Sequence, residues 1–379
     1  MTRPSNAGAT TAPDGAPVPD VDVVCLGESM VTFLPTTAGR LADVPAFERA
    51  IGGAESNVAC GLAAAGHRAK WVGRVGADGF GDHLVAAIAA YGVDTGAVRR
   101  DPARPTGIYF RTAGDRATDA HEVAYYRAGS AASAMAVANM DLDAVRSGRV
   151  LHLSGITAAL SGDCLALTRE LTVRRTAGRP LVSFDVNHRP GLWRDAADVG
   201  PEVLLDFARG ADLVFVGEDE ARDAWGITGG PDAVRAALPE PALLIVKRGA
   251  AGAVAYDRHG TRHAEPAPRV EVVAAVGAGD AFAAGFLSAT LRGLPVRTRL
   301  RHGHLWAAAA LTVPGDLAAP PGRALADRLA GLDDTAWGTL HLGPGWTTAT
   351  AAVDQEGTYA VNERSEGQEG TAQRSEARA

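Results

Sequence analysis

An α/β fold, with a mostly parallel sheet flanked by helices and a small β-sheet lid standing off it, is predicted from three observations. Near-continuous apolar runs of strand length recur from residue 21 to residue 246, longer helical patterns separate them, and two regions break the rhythm with strands that no helix follows. A strand that is apolar on both faces has to be covered on both faces, which is the situation of parallel strands joined by helices.

The strand-like runs are Val21–Leu26, Lys70–Gly73, Val150–Leu153, Pro180–Phe184, Leu213–Val216 and Ala242–Val246. Helical patterns cover Asn57–Ala65, Gly81–Tyr91, Leu165–Thr176, Glu218–Trp225, Asp280–Leu291 and Val296–Thr312, and a further strand-like segment, Val270–Val273, precedes the helix at Asp280. The two exceptions are Met30–Pro35 and the pair Gly107–Arg111 and Val123–Arg127, joined by a polar loop. They read as a small antiparallel sheet, with lid strands drawn from about residues 30–52 and 106–127. One domain is expected over residues 21–346. The flanking stretches 1–20 and 347–379 hold too few apolar residues to offset the entropy of ordering, and they read as flexible tails.

Composition narrows the function. With 37 basic against 44 acidic residues the formal net charge is −7, so no positive field is available to hold a nucleic-acid backbone. Cys25, Cys60 and Cys164 are far apart and form no CxxC pair, which suggests neither a disulfide framework nor a zinc site. No leader-like pattern opens the chain and no apolar run reaches membrane-spanning length, so a cytoplasmic location and no membrane partner are expected.

The strongest local signal is Val276-Gly-Ala-Gly-Asp-Ala-Phe282 at the start of a helix. Small residues there let backbone N–H groups of Gly277, Ala278 and Gly279 converge on an anion, and the helix dipole favours negative charge at that end. Asp280, on the first turn of the same helix, is placed to take a proton from a hydroxyl that attacks a phosphorus held in the cradle. Its alternative role is a plain helix cap. Two other phosphate motifs are excluded: the chain has no Gly-Lys pair for GxxxxGK[ST], and Phe282 stands where GxGxxG needs its third glycine. A second turn, Gly52-Gly-Ala-Glu-Ser-Asn57, can bring backbone close to a polyhydroxylated ligand while the Asn57 amide donates and accepts hydrogen bonds.

Together, Gly52-Gly53…Asn57 and Gly277-Ala-Gly-Asp280 resemble the two signatures of the ribokinase/PfkB carbohydrate kinase family, and the resemblance spans roughly residues 21–330. Tyr125–Ser133, Leu151–Ile156, Asp185–Trp193 and Lys247–Gly249 resemble the 2-keto-3-deoxygluconate kinases within it. The resemblance implies a ribokinase-like, Rossmann-like fold and transfer of the ATP γ-phosphate, with Mg²⁺, to the primary hydroxyl of that sugar acid. It implies substrate contacts from Gly53, Asn57, Tyr109, Tyr125, Arg127 and Arg189, the arginines suiting a carboxylate through their planar fork.

On the nucleotide side the resemblance implies Asn187, Glu220, Lys247, Gly249 and Gly252, with Glu220 linked to Mg²⁺ through water. It also implies a homo-oligomer paired through lid strands. This chain departs from the family at Gly217, where an Asn is usual, and at Ala274, where an Asp associated with a monovalent-cation site is usual. A fructokinase or other ketose kinase of the family, and a non-catalytic sugar-binding protein with the same fold, are the alternatives.

Overall fold

The computed structural model describes residues 20–112, 122–173, 179–193 and 199–348. The expected tails, apart from Asp20 and the turn at Trp346–Thr348, lie outside these residues, as do the end of the Leu165–Thr176 helix and most of the polar loop between the lid strands.

An eight-stranded sheet forms the centre. Its spatial order is Arg262–Glu265, Ala253–Asp257, Leu243–Lys247, Leu213–Gly217, Leu181–Asp185, Gly148–Ser154, Val21–Leu26 and Ala69–Val72. The last six strands of that order pair in parallel and coincide to within a residue or two with five of the six expected apolar runs, the sixth, Val150–Leu153, lying inside the longer Gly148–Ser154; the first two form an antiparallel edge. That edge hairpin was not foreseen, because its strands are short and carry charged residues such as Arg262 and Glu265.

Alternation along the strands builds two cores. Val23 and Cys25 face one side with Trp71, Phe215, Phe282 and Phe286, whereas Val24 and Leu26 face the other with Leu153, Phe184, Val214 and Val216. All of these side chains are essentially buried, so helices cover both faces as the apolar runs require. The helix Ala278–Leu291 packs in the first core beside Ala54–Ala64 and Val296–Leu311.

A separate four-stranded sheet stands off the main one in the order Phe47–Gly52, Met30–Pro35, Ile108–Arg111, Val123–Tyr126. Its strands fall within the expected lid ranges, but the sheet is mixed rather than antiparallel, because Met30–Pro35 pairs in parallel with Ile108–Arg111 while Phe47–Gly52 and Val123–Tyr126 pair antiparallel on its edges. The strand expected at Val270–Val273 is only Arg269–Val270, paired with His341–Leu342. Beyond it Glu271 N–H still donates to the Leu342 carbonyl, but Val273 and Ala274 donate to the Leu311 carbonyl instead, and residues 271–276 run as an irregular segment into the helix at Ala278.

Candidate active site

Side chains at the carboxyl ends of the parallel strands meet the inner face of the small sheet across a cleft of about 1520 Å³. A single small-molecule site usually takes roughly 300–1,000 Å³, so this cleft has room for two ligands side by side. Open parallel sheets place ligands at this end of their strands. Here Glu28 follows Val21–Leu26, Asp185 ends Leu181–Asp185, Glu220 follows Leu213–Gly217, and Lys247 ends Leu243–Lys247.

The glycine-rich turn forms the floor. Gly277 is the residue before the helix and sits at φ 77°, in the left-handed region that favours glycine. A Cβ there would come within 2.2 Å of the Asp316 carbonyl oxygen. Ala278, Gly279 and Asp280 form the first helical turn, and the cap position itself is taken by Gly277, so Asp280 stands inside the helix. Its Oδ2 accepts from Asn57 Nδ2 at 2.9 Å, joining two motifs 223 residues apart. Burial raises the Asp280 carboxyl to about 7, assisted by the Asp185 charge and opposed by the Asn57 hydrogen bond and by Arg189 and Lys247.

Beside it lies a charged cluster. Lys247 Nζ reaches both oxygens of Asp185, at 3.1 and 2.9 Å, and Asp185 is buried. Burial lowers the Lys247 ammonium, but the surrounding carboxylates of Asp185, Glu220 and Asp280 outweigh it and the net shift is upward. Glu220 is not the exposed helix carboxylate that its neighbours Glu218 and Asp219 suggest: its Oε2 accepts the Gly217 N–H at 2.6 Å, and burial pushes its carboxyl up. Asn187 stands at φ 41°, rare for a residue other than glycine, with a buried Oδ1 that no described residue partners. Backbone strain of this kind is held where the surroundings impose it, commonly at functional sites.

On the lid, Tyr109 and Tyr125 face each other with ring centroids 5.4 Å apart, and the Arg127 guanidinium lies 5.6 Å from the Tyr125 ring centre. Tyr109, Tyr125, Arg127, Arg189, Gly53 and Asn57 all border the cleft. Gly53 is there for closeness rather than freedom: a Cβ would meet the Glu28 carbonyl at 2.5 Å.

Two residues expected at the nucleotide do not reach the cleft wall. Gly249 and Gly252 sit in the turn after Leu243–Lys247 at φ 55° and 101°, and a Cβ on Gly252 would meet the Glu265 carbonyl at 2.2 Å, so hairpin geometry accounts for them. His304 is buried edge-on to Phe282, with Nε2 3.2 Å from the Glu265 carbonyl oxygen.

Four acids escaped the sequence reading. Asp185 opens the quoted Asp-Val-Asn-His-Arg segment and could have been found there. Asp316 binds Tyr109 OH at 2.5 Å and Arg111 Nη2 at 2.6 Å, in a loop whose sequence carries no signal. Glu28 pairs with Arg127 and accepts from Ser130 Oγ at 3.1 Å. Glu55, buried under the Gly53 turn, accepts from Ser154 Oγ and Thr157 Oγ1, both at 2.8 Å, while its Oε2 is unpartnered among the described residues.

Burial raises Glu55 from an ordinary 4.5 to about 7. A carboxyl raised in the fold binds protons more tightly there than in the unfolded chain, so stability falls as pH rises from about 4.5 to about 7 and stays lower above. Glu55→Gln removes that titration. Its stability relative to the parent, from urea unfolding, should be more favourable at pH 8 than at pH 5 by roughly 1–3 kcal/mol.

The comparisons with known proteins agree with this geometry. The model of the pfkB family carbohydrate kinases matches residues 20–321. A 2-dehydro-3-deoxygluconokinase of Bacillus subtilis (strain 168) is 35% identical over 308 residues, covering 80% of this chain and 93% of its own. A probable chloroplastic fructokinase-6 of Arabidopsis thaliana is 33% identical over 326 residues, 82% of each chain. The crystal structure of 2-dehydro-3-deoxygluconokinase from Thermotoga maritima superposes with a TM-score of 0.71 at 26% identity, covering 82% of this chain and 98% of that one. The ribokinase-like fold, the Asp280 turn and these relatives together make the chain a member of the pfkB family of carbohydrate kinases, a sugar kinase.

Proposed function

We propose that the enzyme transfers the γ-phosphate of ATP to the primary hydroxyl of 2-keto-3-deoxygluconate. The observation that carries this is one cleft in which the lid's Tyr109, Tyr125 and Arg127, together with Arg189, face the Asp280–Asn57 pair at the helix N-terminus. The arginines suit a sugar carboxylate, and the relatives named as 2-dehydro-3-deoxygluconokinases support the same substrate.

Asn57 holds Asp280 so that its free oxygen can accept the proton of the attacking hydroxyl, and burial keeps the carboxyl basic enough near neutral pH to do so. The N–H groups of Gly277–Gly279, at the start of the helix, would stabilise the developing negative charge, and Lys247 lies beside Gly279. Asp185, Glu220 and the unpartnered Asn187 Oδ1 form an oxygen-rich wall that fits a hydrated Mg²⁺ carried on phosphate oxygens. When bound, Mg²⁺ would neutralise phosphate charge and hold the transferring group in line.

A neutral ketose is the second reading. Arg127 and Arg111 are each already paired with a buried carboxylate, Glu28 and Asp316, which leaves that end of the cleft nearly balanced in charge. A coupled ADP-release assay over a panel of sugars and sugar acids tests both. The keto-deoxy acid is expected to give the highest kcat/KM, and Arg127→Ala to raise KM for it far more than for fructose. Preference for fructose, with equal effects of the substitution on both, would sink the sugar-acid reading.

A further inference from the structure

Glu28 has no place in the mechanism above, yet it is placed where the sugar's charge would be felt. It follows the first strand of the main sheet, its side chain is 1% exposed, and it borders the cleft. One carboxylate oxygen accepts from Ser130 Oγ and the other is paired with Arg127 Nη2. Gly107 packs against it, with a notional Cβ 3.2 Å from Oε1. The Arg127 guanidinium is therefore only half used: its Nε is buried and, among the described residues, has no acceptor.

Arg127 borders the cleft, so a ligand oxygen that binds it there sits on the same guanidinium as the Glu28 carboxylate. If the ligand oxygen is a hydroxyl, the ion pair is undisturbed. If it belongs to a carboxylate, two negative charges share one buried cation, and like charges so close in a low-dielectric site do not both stay ionised. A strong sugar acid keeps its charge, so Glu28 is the group that takes the proton.

We propose that Glu28 is a specificity-determining residue: through its pairing with Arg127 it admits a carboxylate-bearing sugar together with a proton, and a neutral sugar without one. The claim rests on the sugar-acid reading of the cleft. Burial already raises the Glu28 carboxyl, with Arg127 and Ser130 opposing, which is the direction that protonation requires. The other titratable groups that feel it are Glu55 from the Gly53 helix, raised to about 7 and so negative at pH 8, which favours the same protonation, and the Cys164 thiol, which burial raises to about 11 and keeps neutral there.

The test is calorimetric titration of the Asp280→Asn protein, which binds without turnover and has lost the Asp280 titration, in two pH 8 buffers of different ionisation heat. 2-Keto-3-deoxygluconate is expected to bind with uptake of about one proton, fructose with none, and Glu28→Gln in the same background to abolish the uptake. In the parent enzyme, which needs no substitution, KM for the sugar acid should rise up to about tenfold per pH unit above neutrality while that for fructose stays flat.

Sugar-acid binding with no proton uptake, or uptake that persists in Glu28→Gln, overturns the proposal and leaves the sugar-acid reading standing. Binding of fructose but not of the sugar acid overturns both. A merely structural role for Glu28 would change affinity for the two sugars together and would not produce a proton count that differs between them.

Discussion

Asp280→Asn is expected to slow phosphoryl transfer on the order of 10²–10⁴-fold, the usual contribution of a general base, while leaving the protein at least as stable as its parent. The side chain is the same size, and its amide oxygen can still accept from Asn57 Nδ2. What disappears is a buried carboxylate whose charge the fold disfavours, since burial has raised it from 3.8 to about 7. Above pH 7 the parent carries that charge and the variant does not, so thermal unfolding at pH 8 should show an equal or higher Tm. In the parent, kcat should climb with pH through about 7 and level off above it, because only the ionised carboxylate can take the proton. An Asp280→Asn enzyme with parental kcat, or a rate that falls as pH rises from 6 to 8, would remove Asp280 from the mechanism.

Gly277→Ala should be nearly as damaging to the rate, and unlike the first variant it should also cost stability. An L-residue at φ 77° costs about 1–2 kcal/mol, and the added Cβ would sit 2.2 Å from the Asp316 carbonyl oxygen, a backbone atom that can move only if its loop does. Asp316 in turn holds Tyr109 and Arg111 of the lid, so displacement of its loop would disturb the anion-binding amides and the sugar side together. Loss of one such donor is worth about 10²–10³ in kcat, and that is the expected effect, read from ADP release alongside a lowered Tm. Gly279→Ala is the control. Its Cβ would meet only Lys247 Nζ, at 3.8 Å, so normal folding and a milder loss are expected.

The two signatures were legible because each is local. Glycines at a helix start, an acid one turn in and an asparagine after paired glycines are short-range patterns, and the six apolar runs identified the parallel strands. Arg127 shows where such reading stops. Its identity announced a carboxylate partner, but the partner in the fold is Glu28, 99 residues away and on a different sheet connection. Gly249 and Gly252 err in the opposite direction: they lie next to a lysine of the cleft, yet their conformations serve a hairpin turn.

From the amino-acid order alone came the fold class, the glycine-rich turn and the proposed base, since each depends on periodicity or on residues within one turn of one another. Tertiary structure decided the charge state of the site. Whether Asp280 is neutral or ionised near pH 7, which arginine is already paired, and which glycine cannot carry a side chain all depend on contacts between segments tens to hundreds of residues apart. Such contacts act through desolvation and close approach, and neither quantity exists until the chain has folded.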